Sequence, residues 1–121
     1  MRLFALRGAN SVERNEAGAI LDATDALMRQ LMKVNQLVPE EMVSCIFTCT
    51  EDLDAEFPAV AARNLGLNRV PLLCALEMDV PGALRRVIRV LIHYYAEEGH
   101  RAQHVYLREA SSLRTDLDAA Q

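Results

Sequence analysis

The chain has 121 residues, 13 of them basic and 17 acidic, giving a net charge of −4 and a pI of about 5.3. That acidic balance excludes binding to nucleic acid through many unspecific phosphate contacts, and no apolar run approaches the roughly 18 residues that cross a bilayer. With 51% hydrophobic and 25% charged residues, and no linker, repeat or low-complexity block, residues 1–121 read as one globular domain.

Residues 2–7 predict a short strand that ends at Gly8. From Glu16 to about Asn35, apolar residues recur at Ile20, Leu21, Ala23, Ala26, Leu27, Leu31 and Val34, mostly three or four apart. This spacing predicts an amphipathic helix with one buried stripe. Asn15 is its expected N-cap, Glu16 suits the first turn, and Pro39 blocks continuation. Residues 43–50, rich in β-branched and small apolar side chains, predict a second strand. Polar turn chemistry over 52–58 leads into a short helical piece over 59–65, which Gly66 is placed to end. Residues 70–76 predict a third strand.

The stretch 84–95 is ambiguous. Leu84, Val87, Ile88, Leu91, Ile92 and Tyr95 fit a helical stripe, whereas RRVIRVLIHYY has the composition of a strand buried on both faces. Periodicity alone favours a helix. Residues 103–107 predict another short strand, and the tail after Arg114 reads as loosely held. The sum is an α+β fold, a mixed sheet covered on one face by one main helix. The other face is suited to packing between subunits.

Few residues invite chemistry. The glycines are scattered singly, with no phosphate-binding loop and no Gly-x-Ser-x-Gly turn. His93, His100 and His104 lack a metal-binding pattern and read as solvated surface side chains. Cys45, Cys49 and Cys74 form no even disulfide set and no CxxC pair, and Cys45 and Cys49 fall on one side of a strand as small buried hydrophobes. Four apolar residues between Arg2 and Arg7 are too few for a secretion signal. A reduced, cytoplasmic protein is expected.

Twelve of the 13 basic residues are arginine, Lys33 being the exception. Base composition of the genome accounts for most such bias, yet the guanidinium grips carboxylates in a planar, two-pronged way that lysine cannot copy. Arg89 lies inside the apolar run Val87–Ile92, where it must be paired, snorkelled or bound to a ligand. Glu77 and Asp79 directly follow an apolar strand. For Glu77, taken alone, a solvated strand-end carboxylate is the simpler reading.

Across nearly its whole length the chain resembles the single-domain, homotrimeric α/β class of chorismate mutase. The matching stretches, in order, are Arg7-Gly8-Ala9 with Val12-Glu13-Arg14, Thr50 through Asp52-Leu53 to Phe57-Pro58-Ala59, and Val70-Pro71 to Cys74. They continue with Glu77-Met78-Asp79-Val80, Gly82, Ile88-Arg89-Val90, His104-Val105-Tyr106-Leu107 and Leu113-Arg114-x-Asp116-Leu117.

The resemblance implies a five-stranded mixed sheet packed with one long helix and a short helical segment, with 84–95 holding a strand. It also implies three subunits forming a pseudo-α/β barrel with active sites at their interfaces. The implied reaction is the rearrangement of chorismate to prephenate, on the route to phenylalanine and tyrosine, with no metal, cofactor, nucleic acid or membrane. In that reading Arg89 sits by the breaking ether oxygen, and Glu77, with Cys74 nearby, accepts from the ring hydroxyl. Arg7 clamps a carboxylate and Tyr106 adds a hydrogen bond. From the neighbouring subunit, Phe57 and Ala59 form an apolar wall, with Arg63 and Arg114 near the mouth; Leu73 and Leu113 also line the site.

Two positions depart from the family. Val60 stands where a lysine of the cationic rim is common, with Arg63 one helical turn along to compensate, and Leu73 replaces a frequent threonine. Two other classes fit the architecture: a trimeric imine or enamine deaminase that holds a carboxylate by arginine, and a non-catalytic trimeric ligand-binding module. The contexts of Glu77 and Arg89 disfavour the first, and the joint presence of Arg7, Cys74, Glu77, Arg89 and Tyr106 argues against the second.

Overall fold

A computed structural model describes residues 1–113; Arg114 and the rest of the expected tail lie outside the described residues. In chain order these are β1 (Arg2–Ser11), α1 (Ala17–Asn35), β2 (Met42–Cys49), α2 (Ala59–Asn64), β3 (Leu72–Leu76), β4 (Val87–Ala96) and β5 (Val105–Leu107). The strands form one sheet in the order β3-β2-β4-β1-β5. Strand β4 runs antiparallel to both β1 and β2, while β3 is parallel to β2 and β5 is parallel to β1. The mixed five-stranded sheet with one long and one short helix is the expected fold.

The helical stripe over 84–95 is overturned. Val87–Ala96 is the central strand, paired along its length with Arg2–Ser11 and with β2. Ile88, Val90, Ile92 and Tyr94 are buried on the helix-covered face and Val87 beneath Ala110, whereas Arg89 and Tyr95 on the other face stay exposed. Apolar residues on both faces of a strand mimic a 3.6-residue period by coincidence.

Strand β1 also outruns its expected end at Gly8, continuing through Ala9 and Asn10 to Ser11. These small residues have little strand propensity, but β4 and β5 pair with them from the two sides. Gly8 is required for a different reason than a turn. A Cβ there would lie 2.8 Å from Leu31 Cδ1, 3.1 Å from Leu27 Cδ1 and 3.2 Å from the Val105 carbonyl oxygen. Helix α1 crosses β1 at that point, and the missing side chain sets how close it comes.

The expected cap of α1 is likewise displaced. Glu16, in extended conformation, occupies the N-cap and makes no side-chain cap bond. Asn15 is committed elsewhere: its Oδ1 accepts from the Asp54 and Ala55 amides at 3.0 and 3.1 Å, and its Nδ2 donates to Asp54 Oδ1 at 2.7 Å. It therefore ties the start of α1 to the loop between β2 and α2. At the other end Gln36 turns left-handed (φ 53°), and the Leu37 amide reaches back to the Met32 carbonyl. The helix stops there, before Pro39 is reached.

One face of the sheet carries Leu6, Cys45, Phe47, Val90, Ile92 and Tyr94 against Ile20, Leu27, Met28 and Leu31 of α1 and Ala59 and Ala62 of α2. Among the described residues no helix covers most of the opposite face, where Leu3 is 49% exposed, Leu73 60% and Tyr95 46%. The fit at Gly8 is directly testable. Gly8→Ala should lower stability by about 1–3 kcal/mol through overpacking, read as a reduced midpoint in urea at unchanged slope.

Candidate active site

Arg89 stands in the middle of β4, opposite Ala9 of β1 on one side and Thr48 of β2 on the other. Directly opposed residues of an antiparallel pair project from the same face, so Arg89 and Thr48 share the open face. Glu77 lies just beyond β3, and its amide donates to the Cys49 carbonyl at 3.0 Å. Thr48 Oγ1 donates to Glu77 Oε2 at 2.7 Å, and Arg89 Nε lies 3.1 Å from Oε2 and 3.2 Å from Oε1.

The Glu77 side chain is 14% exposed and that of Arg89 45%. A pair this open to water contributes less than about 1 kcal/mol to stability. Its consequence is geometric. Within the described residues Arg89 is hydrogen-bonded through Nε, which leaves the two terminal guanidinium nitrogens for an incoming anion.

The approach to β4 is built as carefully. Asp52 Oδ1 and Oδ2 both accept from the Arg86 amide at 3.1 Å, and Thr50 Oγ1 donates to Asp52 Oδ1 at 2.5 Å. Thr50 Oγ1 also accepts from the Val87 amide at 3.0 Å, and Arg86 Nε donates to the Val12 carbonyl at 3.1 Å. These bonds hold Arg86 at φ 49°, a left-handed conformation that costs a non-glycine residue on the order of 1 kcal/mol or more. Thr48, Thr50 and Asp52 were not singled out as positioning residues from sequence. The Thr-x-Asp spacing ahead of a turn was the available signal, since both residue types readily bond backbone, although the Arg86 and Val87 amides they hold lie 34 and 37 residues on.

At the other side of β4, Arg7 projects exposed from β1, opposite Leu91. Tyr106 pairs with Ala9 across the β1–β5 edge. Tyr106, Leu84 and Leu113 pack half-buried against Ala9, Val87 and Ala110, where the 3₁₀ turn Arg108–Ser112 folds over the open face.

A second group lies toward the β3 edge. Cys74 pairs with Phe47 and so faces the helix side of the sheet, while its neighbour Leu73 faces the open side. Cys74 shares a cavity of about 360 Å³ with Cys49, Leu53, Phe57 and Pro58. Phe57 is 67% exposed, Ala59 is buried at the start of α2, and Arg63 is exposed in its last turn. A separate cavity of about 300 Å³ between the end of β3 and the start of β4 is lined by Glu51, Asp52, Glu77 and Asp79, with Arg85 facing them.

The histidines are not the solvated side chains expected. His100 Nε2 and Tyr94 Oη are 2.6 Å apart, and the ring packs edge-on against Phe4 and Tyr94. His93 Nδ1 lies 3.2 Å from Ser44 Oγ, and His104 Nδ1 accepts the Arg7 amide at 3.0 Å. Among the described residues no three of His, Cys, Asp and Glu converge on a metal-sized site. Burial pushes the Cys45 thiol up to about 12 and raises that of Cys49 as well, so both stay protonated at neutral pH.

Residues 3–117 match the family model for chorismate mutase type I. The chain belongs to the type I chorismate mutase family. It is 49% identical to chorismate mutase AroH of Thermus thermophilus over 118 residues, covering 96% of this chain and 97% of that one. It is 39% identical to chorismate mutase AroH of Bacillus subtilis over 119 residues, covering 97% and 94%. Among solved structures, a chorismate mutase from Clostridium thermocellum superposes with a TM-score of 0.87 at 42% identity, covering 91% of this chain and 99% of that one.

Measured against the residues expected of a type I chorismate mutase, the chain divides them into two sets. Arg7, Tyr106, Arg89 and Glu77 are presented on the open face, with Leu73 and Leu113 flanking them. Phe57, Ala59 and Cys74 belong to the helix side near the β3 edge, with Arg63 beyond them. Arg114 lies outside the described residues. The Asp52 arrangement predicts a specific lesion: Asp52→Ala should destabilise the fold by about 1–3 kcal/mol, by orphaning the Arg86 amide and Thr50 hydroxyl. Thermal unfolding checks this, and Asp52→Asn, which keeps one acceptor, should lose less.

Proposed function

We propose that the protein catalyses the rearrangement of chorismate to prephenate, the isomerase step toward phenylalanine and tyrosine, as a single-domain homotrimer. The observation that carries this reading is Arg89, anchored at Nε by Glu77 and 45% exposed on the open face.

The reaction occurs within one molecule. A carbon–oxygen ether bond breaks while a carbon–carbon bond forms, and no proton, electron or covalent adduct passes to the protein. What the chain has to supply is restraint of a flexible dicarboxylate in its reactive shape and fixed charge where charge separates. Negative charge gathers on the ether oxygen, which is the place for the Arg89 guanidinium. Glu77, pinned by Thr48 and Arg89, accepts from the ring hydroxyl and faces a ring that becomes partly positive. Arg7 clamps a carboxylate, and Tyr106 donates on the same side.

Charge supports this location over the cavity at the start of β4 and the cavity beside Cys74. Glu51, Asp52 and Asp79 face one arginine, Arg85, in the first and would repel a dianion, and the apolar cavity is flanked by Asp54 and Glu56. Only the open face brings Arg7 and Arg89 forward together. That face needs a cover, since Leu3, Leu73 and Tyr95 are left to water. A neighbouring subunit would supply one, with its Phe57, Ala59 and Cys74 as the apolar wall and its Arg63 and Arg114 at the mouth. Val60, in place of a rim lysine, then affects substrate capture rather than chemistry. The reduced cytoplasm is the compartment proposed; among the described residues no helix is long and apolar enough to cross a membrane.

Following the loss of chorismate by ultraviolet absorbance tests the reading. Arg89→Ala should lower kcat by about 10²–10³-fold or more, the scale of removing one charge-stabilising donor. Arg89→Lys should not restore it, because an ammonium lacks the planar fork. Near-normal turnover in Arg89→Lys would contradict the assigned role. Sedimentation should give roughly three times the 13.5 kDa chain mass, and a fully active monomer would refute the interfacial site.

A further inference from the structure

We infer that His104 is a positioning residue of this active site: its imidazole completes the β1–β5 edge at Arg7 and thereby sets the spacing between Arg7 and Tyr106. The inference rests on the proposed reaction and adds to it a residue that contacts no substrate.

Strand β5 begins at Val105, and its parallel pairing with β1 covers only Gly8–Val105, Ala9–Tyr106 and Asn10–Leu107. One position earlier the Arg7 amide points to the same edge, where β5 has no further residue in the ladder. His104 Nδ1 accepts that amide at 3.0 Å. A side chain therefore does what a backbone carbonyl does along the rest of the edge, and the hydrogen bond requires a lone pair on Nδ1. Immediately before it, Asn35 at the end of α1 accepts from the Gln103 amide at 2.7 Å and donates to its carbonyl at 2.9 Å. The chain entering β5 is thus held at two consecutive residues, by α1 and by β1.

The consequence falls on two side chains at once. Arg7 carries the amide that is bonded, and Tyr106 lies two residues beyond His104, paired with Ala9. Both are assigned to the carboxylate side of the substrate. Without the Nδ1 acceptor the start of β5 is held only through Gln103 and the three-residue ladder, and the gap between guanidinium and phenol is less closely defined.

The ring's surroundings keep it in the accepting form. Burial and the Arg7 charge lower its pKa from the ordinary 6.5; Asn35, which approaches from α1, carries no charge. The neutral ring's contribution to folding is full above about pH 6.5 and is lost as the pH falls through the lower folded value. Protonation removes the acceptor and sets a second cation beside Arg7.

The test compares His104→Ala with His104→Asn, whose Oδ1 can replace Nδ1 as acceptor but does not titrate. With active wild-type protein, His104→Ala should raise KM roughly tenfold while kcat falls less than about threefold, the pattern of lost substrate binding. His104→Asn should stay within about threefold of wild type in both constants. Wild-type kcat/KM should decline on acidification below the ordinary histidine range, and that decline should be absent from His104→Asn. Hydrogen exchange at the Arg7 amide gives a readout independent of turnover: it should accelerate in His104→Ala and remain protected in His104→Asn. An unchanged KM and exchange rate in His104→Ala, or His104→Asn behaving like His104→Ala, would overturn the positioning role. Wild-type protein without chorismate turnover would instead overturn the proposed reaction, while the exchange result would still report on the hydrogen bond.

Discussion

Strand β4 is hydrogen-bonded along both edges, to β1 on one side and β2 on the other, and the rest of the molecule is arranged around that. A residue at its middle has a backbone that cannot drift, so Arg89 starts from a fixed Cα. Thr48, directly across on β2, is placed by the same ladder and holds Glu77, which in turn holds Arg89. Even the entry to the strand is clamped, by Thr50 and Asp52 around a left-handed Arg86. A flexible guanidinium becomes a directed one because each supporting group is itself supported.

The second organising feature is that, among the described residues, helices cover one side of the sheet and only the turn Arg108–Ser112 packs on the other. Helices α1 and α2 seal the face that carries Phe47 and Tyr94, and the close approach at Gly8 shows how tightly α1 sits there. The other face combines exposed apolar side chains with the arginines. An acidic protein can still bind an anion because the field that matters is local. Glu77 belongs to both environments: it lines the acidic cavity at the start of β4 and pairs with Arg89.

Much of this was legible in the residues. The long helix, the short helix ending at Gly66 and the strands near 43–50 and 70–76 all follow from period, turn chemistry and composition, and Gly66 indeed has φ 98°. The family resemblance identified 84–95 as containing a strand where periodicity pointed to a helix. Physical reasoning failed at positions decided by partners distant in sequence. Ala9-Asn10-Ser11 is poor strand material, yet it is strand because two neighbours pair with it. Asn15 looked like a cap, yet its side chain is taken by backbone amides some 39 and 40 residues away. His104 looked like surface, yet it closes an edge 97 residues from its partner.

The sequence by itself determined the class of fold, the acidic balance that excludes unspecific polyanion binding, and an arginine, Arg89, that an apolar run could not leave unpartnered. These are properties of composition and local period, and they survive without knowing which segments meet. Only the tertiary structure decided which carboxylate answers Arg89, that Cys74 and Leu73 face opposite sides of the same strand, and that the expected site residues fall into two sets within one chain. The reason is that β-sheet register and strand order are set by long-range pairing. A shift of one residue would turn every side chain to the other face.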